Sequence, residues 1–402
     1  MNWSLLALLG VLVGTQLNRG IYRLAWHARA IGPWSAPDPA APPRHWYDRL
    51  PIIGWYFLRR EVPLHGRAYW IRPMLIELAC GVGLVGLVAW HLHGGLLPRE
   101  LAGRPDPSLA VRLVSHAILM SLMLVATFID IDEQTIPDEI TRPGLLVGCA
   151  LAICQPGSLL PVVRWDPATL VEPLWLTQPA AWDAYPWLDD WRGMLLGLAC
   201  FSAWCFAICP RTWTLRRGWR KAISFLCASM ARHAYGRRIG RMWGLGCLLV
   251  VCVWCWGETH WQGLLTALVG AACGGGLIWS VRVVASFALR QEAMGFGDVT
   301  LMAMIGAFVG WQSTLIIFFL APLAGVLIAV AQWLLTRRHE IAYGPFICAG
   351  TAVLLIGWRH LWEFTEPIFY LGYLVPILVG MCLLLMAPLL VAVRWVLRPG
   401  GR

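Results

Sequence analysis

Two short acidic segments are the parts of this 402-residue chain whose residue types could do chemistry. The first, Phe128-Ile129-Asp130-Ile131-Asp132-Glu133-Gln134-Thr135-Ile136-Pro137-Asp138-Glu139, sets five acids directly after the apolar run Leu122–Ile129. The second, Met294-Gly295-Phe296-Gly297-Asp298-Val299, places one acid behind a Gly-x-Gly at the start of another apolar run. A carboxylate at the edge of an apolar segment loses solvation, which is costly unless the group is paired or used. Residues at i and i+2 of a helix point about 200° apart, so Asp130 and Asp132 cannot face one partner if the helix continues through both. Pro137 favours an extended conformation at Ile136, and Asp138 is placed to cap the helix that follows. Gly295 and Gly297 remove side chains beside Asp298, which lets backbone or an extended substrate approach closely. Two carboxylates brought together from Asp130 and Asp298 would share one proton. In that state one activates water while the other protonates a peptide carbonyl. Each segment also has a plainer reading, the first as a solvated helix end and the second as a helix start capped by Asp298.

What must position these residues follows from composition. The chain is 58% hydrophobic and 13% charged, against about 25% charged in soluble domains, so a soluble fold is excluded and an all-α polytopic transmembrane bundle is expected. Apolar segments of spanning length run over 4–24, 74–93, 109–129, 143–163, 193–210, 243–257, 263–281, 299–311, 313–335, 346–362 and 370–393. Two of them, 243–257 and 299–311, are short enough to be half-helices, which leaves about nine to eleven spans. The first segment has no basic region before it and is followed by Arg19 and Arg23, so it reads as an anchor. Most of the 13 cysteines lie inside apolar runs and read as small buried hydrophobes.

Loop parity gives sidedness. The stretch 25–73, with Arg29, Arg44, Arg49, Arg59, Arg60, Arg67 and Arg72, falls on the same side as 211–242, which carries eight arginines and Lys221 without an acid. Arg282, Arg290, Arg337, Arg338, Arg394, Arg398 and Arg402 join them, whereas Asp166, Glu172, Asp183, Asp189 and Asp190 lie opposite. The positive-inside rule makes the basic side cytoplasmic, with the N-terminus outside and the C-terminus inside. The net charge of +10 is then a topological signal and not a nucleic-acid footprint. Both acidic segments fall on the cytoplasmic side, a necessary condition for one site. The basic, aromatic loop 211–242 also suits the anionic inner leaflet, or simple anchoring by charge.

At this point the motifs resemble those of the type 4 prepilin peptidases, intramembrane-type aspartic proteases of the bacterial inner membrane. Gly14-Thr15-Gln16-Leu17-Asn18 with Tyr22-Arg23-Leu24 resembles the family's opening motif, and Arg72-Pro73-Met74-Leu75-Ile76-Glu77-Leu78 its Tyr-Pro-x-Val-Glu-Leu. The Asp130 segment resembles Asp-x-Asp…Leu-Pro-Asp, Gly295-Phe296-Gly297-Asp298 resembles Gly-x-Gly-Asp, and Tyr343-Gly344-Pro345-Phe346 a late Phe-Gly-Pro-Tyr. The resemblance implies that Asp130 and Asp298 are the catalytic pair, with Asp132, Asp138, Gly295, Gly297 and Glu77 in support. It also implies prepilin-like or pseudopilin substrates, as in type IV pilus and type II secretion systems, a lipid bilayer and no nucleic acid as partner, and no cofactor for the peptidase. S-adenosylmethionine enters only if the N-methyltransferase activity of many relatives is retained.

Three departures qualify the match. The paired cysteines that suit a structural zinc in many relatives are missing, since no cysteine precedes Cys80, and His27, His45 and His65 make a poor substitute. No metal is therefore expected, methyl transfer is doubtful, and Trp46, Trp55, Tyr56, Phe57, Tyr69 and Trp70 are expected to fold the loop instead by apolar packing on the membrane surface. The lysine after Gly-x-Gly-Asp is replaced by Thr300. Finally, two spans and a basic loop are inserted, an even number that preserves the side of Asp298. The expected organisation is a first span (1–24), a basic loop (25–73), a core with the first Asp motif (74–154), the insertion (155–262), a core with Gly-x-Gly-Asp (263–362) and an extra C-terminal span (363–402). The alternatives are a proton- or cation-coupled transporter and an inactive scaffold of the same fold.

Overall fold

In the computed structural model, the described residues are 2–27, 31–98, 101, 106–164, 170–209, 220, 224–225, 228, 232–292, 294–336 and 342–396. The chain is an all-α polytopic bundle. Its helices are α1 (Trp3–Leu24), α2 (Ile53–Leu58), α3 (Val62–His65), α4 (Ile71–Leu92), α5 (Leu109–Glu133), α6 (Asp138–Cys154), α7 (Trp191–Ala207), α8 (Ala234–Trp256), α9 (Glu258–Leu289), α10 (Phe296–Thr336), α11 (Gly344–Phe369) and α12 (Leu374–Val396). Seven of these, α1, α4, α5, α8, α9, α10 and α12, are long and apolar enough among the described residues to cross a membrane.

The centre of the bundle is the pair α9 and α10. Their backbones touch: a Cβ added at Gly270 would meet the Gly306 carbonyl oxygen at 2.2 Å, and one at Gly306 would meet that of Gly270 at 2.2 Å. In lipid, where apolar burial does not drive association, such close approach of small residues maximises van der Waals contact.

α10 is not one rod. Gly310 has φ 80° and ψ 170°, a conformation that a side chain would strain. A Cβ at Gly306 would lie 3.0 Å from Thr314 Cγ2, so the two arms fold back on each other. The first arm, 296–309, is about 21 Å long at 1.5 Å per residue, short of a hydrocarbon core of about 30 Å. The segment between α6 and α7 comes in to meet it. Trp311 Nε1 donates to the Leu176 carbonyl at 2.8 Å, and Gln312 Nε2 donates to those of Trp175 at 2.9 Å and Gln178 at 3.1 Å. The same segment accepts indole bonds from Trp261 at Leu188, 2.8 Å, and from Trp358 at Pro161, 2.7 Å. Irregular backbone is thereby satisfied inside protein.

That segment corrects one expected span. The apolar stretch 143–163 is not helical throughout: α6 stops at Cys154, and Pro161–Arg164 forms strand β1. β1 pairs antiparallel with β2 (Leu170–Pro173), Val162 opposite Glu172. Pro156 and Gly157 end the helix, and hydropathy alone does not distinguish an apolar strand from an apolar helix. The second correction is α8, whose 23 residues make the stretch expected at 243–257 a full-length helix. The middle of the basic loop, with Arg211, Arg216, Arg217, Lys221, Trp213 and Trp219, lies outside the described residues, as do Arg29, Arg337, Arg338, Arg398 and Arg402.

Candidate active site

Asp130 sits in the last turn of α5 and Asp298 in the first turn of α10; their exposures are 5% and 7%. Asp130 is held from a third element, since its Oδ2 accepts the Gly344 N–H at 3.1 Å. Gly344 opens α11 and has Pro345 behind it, so its N–H is one of the donors a helix start leaves unpaired. Ile136 packs against both Gly344, whose N–H holds Asp130, and Gly297, which precedes Asp298, so the two acids share one neighbourhood at the same end of the bundle.

Ile136 wedges between their supports. A Cβ at Gly344 would lie 2.6 Å from Asp130 Oδ2 and 2.9 Å from Ile136 Cδ1, and one at Gly297 would lie 2.9 Å from Ile136 Cβ. Gly297 therefore makes room for Ile136, whose backbone N would lie 3.2 Å from that Cβ. A Cβ at Gly295 would stand 3.8 Å from Asp298 Oδ2, an ordinary contact. Tyr343, next to Gly344, has its phenol pushed up to about 12 by burial and by the nearby Asp298 carboxylate. It is a neutral donor at physiological pH. Gly344, Tyr343 and Ile136 were not singled out as site residues from sequence. The available signal was Gly-Pro at a helix start, which marks an N-terminus but not what it faces.

The other acids go elsewhere. α5 continues through Glu133 and ends in left-handed Gln134, φ 54°, so Asp132 turns away from Asp130. It accepts both oxygens' worth of bonds from Arg72 Nη1, at 2.7 and 2.9 Å. Glu133 accepts the backbone N–H groups of Trp26, 2.6 Å, and His27, 3.0 Å, tying α5 to the chain that leaves α1. Asp138 does not cap α6. It is the first helical residue, with Pro137 at the cap position, and it pairs with Arg142 one turn on. The Arg142 guanidinium also lies over the Tyr235 ring of α8, 5.3 Å from its centroid.

Glu77 lies away from the aspartates and organises the basic loop. It is buried in α4 and accepts from Asn18 Nδ2 at 3.3 Å, Trp55 Nε1 at 2.9 Å and the Ile52 N–H at 2.5 Å. Ile52 has φ 61°, costly for a β-branched residue, and the bond to Glu77 stabilises it there. The rest of the loop is held by buried ion pairs. Arg44 Nε and Nη2 reach the two Glu61 oxygens at 2.9 Å each and Nη1 reaches the carbonyls of Gly32, 2.9 Å, and Ser35, 2.8 Å, while Arg60 pairs with Asp48. Asp48 and Glu61 are fully buried. Of the aromatics expected to fold this loop, Trp55 is buried, whereas Trp46, Tyr56 and Phe57 are exposed. The exposed rings lie outside an interior occupied by charge pairs. The loop histidines are scattered, His45 stacking on Tyr47 and His65 lying 3.5 Å from Glu61. Among the described residues no three His, Cys, Asp or Glu side chains are grouped to hold a metal.

Between α1 and this loop is a cavity of about 270 Å³ lined by Asn18, Arg19, Tyr22, Trp34, Trp55 and Glu77 among others. Asn18 Oδ1, buried at its wall, has no hydrogen-bond partner.

The chain is similar to several known proteins. The sequence profile of the Type IV leader peptidase family matches residues 223–330, which include Asp298. The chain is 36% identical over 91 residues, 22% of its length, to the prepilin leader peptidase/N-methyltransferase of Escherichia coli (strain K12) and covers 40% of that protein. It is 35% identical over 95 residues, 23% of its length, to the protein of the same name from Aeromonas salmonicida (strain A449), covering 33% of it. The chain thus spans well under two thirds of these two relatives. The Myxococcus xanthus (strain DK1622) protein of that name is 24% identical over 367 residues, 90% of this chain and 72% of its own length. An aligned stretch of that length necessarily contains both Asp130 and Asp298. No solved structure matches. The profile, these relatives and the helical membrane architecture agree in pointing to the type IV leader peptidase family.

Proposed function

We propose that the chain is a membrane-embedded aspartic endopeptidase that cleaves the leader of prepilin-like or pseudopilin proteins at the cytoplasmic membrane face. One observation supports this reading: two buried carboxylates, from helices far apart in sequence, are joined through Gly344, Ile136 and Gly297 at the end of the bundle that also holds the basic loop. In the reaction, one carboxylate takes a proton from water as the water oxygen attacks the scissile carbonyl carbon. The other gives its proton to the carbonyl oxygen. Collapse of the tetrahedral adduct breaks the C–N bond as the proton first taken from water passes to the leaving amine, and one hydroxyl of the adduct returns its proton to the carboxylate that had donated, re-forming the carbonyl and the starting pair. The Gly344 N–H fixes one Asp130 oxygen throughout. The basic loop and positive-inside rule support an inner-membrane location with the N-terminus outside and the C-terminus cytoplasmic.

The relatives' names include N-methyltransferase. If that activity is retained here, S-adenosylmethionine would supply the methyl group, and the cavity beside Asn18 has groups suited to it. Arg19 and Arg23 would pair with a carboxylate, Trp34 and Trp55 would stack on a base, and Asn18 Oδ1 offers an unused acceptor. The peptidase step needs no cofactor. A transporter is disfavoured because both acids sit at helix ends rather than at mid-depth. The test is cleavage of a candidate prepilin in membranes containing the wild type but not Asp298→Asn. Undiminished cleavage by that variant would remove the aspartic mechanism.

A further inference from the structure

Each aspartate is carried by a short stretch of backbone at a helix end, where a chain frays unless something outside the helix holds it. Both stretches are held by an arginine from a neighbouring helix, and in both the guanidinium bonds to a main-chain carbonyl as well as to a side chain.

At Asp130 the holder is Arg72, at the start of α4. Its Nη1 engages both oxygens of Asp132, its Nη2 donates to the Phe128 carbonyl at 3.2 Å, and its guanidinium carbon lies 4.6 Å from the centroid of the Phe128 ring. Phe128 and Asp132 flank Asp130 by two residues on either side, so one planar group spans the turn from which Asp130 projects. At Asp298 the holder is Arg282, in α9. Its Nε donates to the Met294 carbonyl at 2.8 Å, its Nη2 pairs with Glu292, and its guanidinium carbon lies 5.8 Å from the centroid of the Phe296 ring. Met294 and Phe296 bracket Gly295, where the chain has no side chain to anchor it, and Asp298 follows within one turn.

We propose that Arg72 and Arg282 are positioning residues for Asp130 and Asp298, each clamping the backbone that aims one of the two carboxyls. The proposal rests on the aspartic peptidase reading. A guanidinium is required because its donors lie in one rigid plane and reach two directions at once; a lysine ammonium supplies charge without that fork. Neither arginine is asked to touch substrate. Their effect is geometric, and a misplacement of about 1 Å at a reacting group can cost on the order of 100-fold in rate.

The experiment compares Arg72→Lys, Arg72→Gln, Arg282→Lys and Arg282→Gln with wild type in the purified full-length protein, alongside Asp130→Asn and Asp298→Asn. Cleavage kinetics on a prepilin substrate, the pH–rate profile and the melting temperature in detergent are measured. All four arginine variants should lose about 10- to 100-fold in kcat with KM little changed, and the pH–rate profile should move because the carboxyl pair is re-spaced. The melting temperature should fall by only a few degrees, and lysine should recover less than half of the lost rate. Full rescue by lysine, or a loss of kcat that tracks the loss of folded protein with an unmoved pH profile, would overturn the clamp and leave a charge or stability role. If the arginine variants keep wild-type kcat while both Asn variants are inactive, the clamp fails and the peptidase reading survives. If both Asn variants cleave normally, the peptidase reading itself fails.

Discussion

The two aspartates differ in what surrounds them, and that difference makes single substitutions informative. Asp130→Asn and Asp298→Asn each preserve volume while removing half of an acid–base pair, so each should cost about 10²- to 10⁴-fold in cleavage without loss of membrane insertion. Asp132→Asn should cost less, because Asp132 faces Arg72 and not Asp298; equal and complete loss there, in a cleavage assay on isolated membranes, would mean that the wrong member of the pair is catalytic. Gly344→Ala is a sharper probe than either. Its new Cβ would lie 2.6 Å from Asp130 Oδ2 and 2.9 Å from Ile136 Cδ1, so Asp130 must move. Cleavage should fall at least about tenfold with the amount of inserted protein unchanged, whereas Gly295→Ala, with only ordinary contacts to make, should be milder.

Among elements, the basic loop shows how an apolar-rich sequence can organise a segment by charge. Glu61 is fully buried and bonds bidentately to Arg44. Removing one partner of such a pair leaves the other uncompensated, at a cost of roughly 3–5 kcal/mol. Glu61→Ala should therefore expose the loop to limited proteolysis at temperatures where wild type resists, and a wild-type digestion pattern would show that the pair is dispensable. Exposed pairs such as His360 with Glu363 should show no comparable effect. The same loop was expected to pack its aromatics on the membrane surface. Their alternation with arginines gave no indication that Asp48 and Glu61 would turn inward, because that depends on partners up to 17 residues away in sequence meeting in space.

For the whole molecule, a loop folded by ion pairs requires no metal, and purified protein should carry no stoichiometric zinc. Metal analysis checks this, and one tightly bound equivalent would contradict it. Methyl transfer is a separate question. Mass spectrometry of the N-terminus of a processed substrate decides it: an unmethylated product is expected if the chain is peptidase-only, and a methylated one made by this protein alone would reverse that. Asp298→Asn should abolish processing in either case.

Sequence by itself determined the class of the molecule and put its two acidic segments on one side. Hydropathy is a local property, so the length of each apolar run and the parity of the basic loops could be read directly, and they put Asp130 and Asp298 at one end of the bundle. The extent of α5 past Asp130 was the condition on which the direction of Asp132 depended. Tertiary structure decided what local pattern cannot encode. An apolar stretch became strand beyond Cys154, paired with β2, and the backbone at residues 175–178 came to meet α10 just past Gly310. Gly344 came to hold Asp130 across 214 residues, and Arg72 and Arg282 came to flank the two acids. Each of these is a directional contact between groups remote in sequence, and only the packing of helices fixes which donor reaches which acceptor.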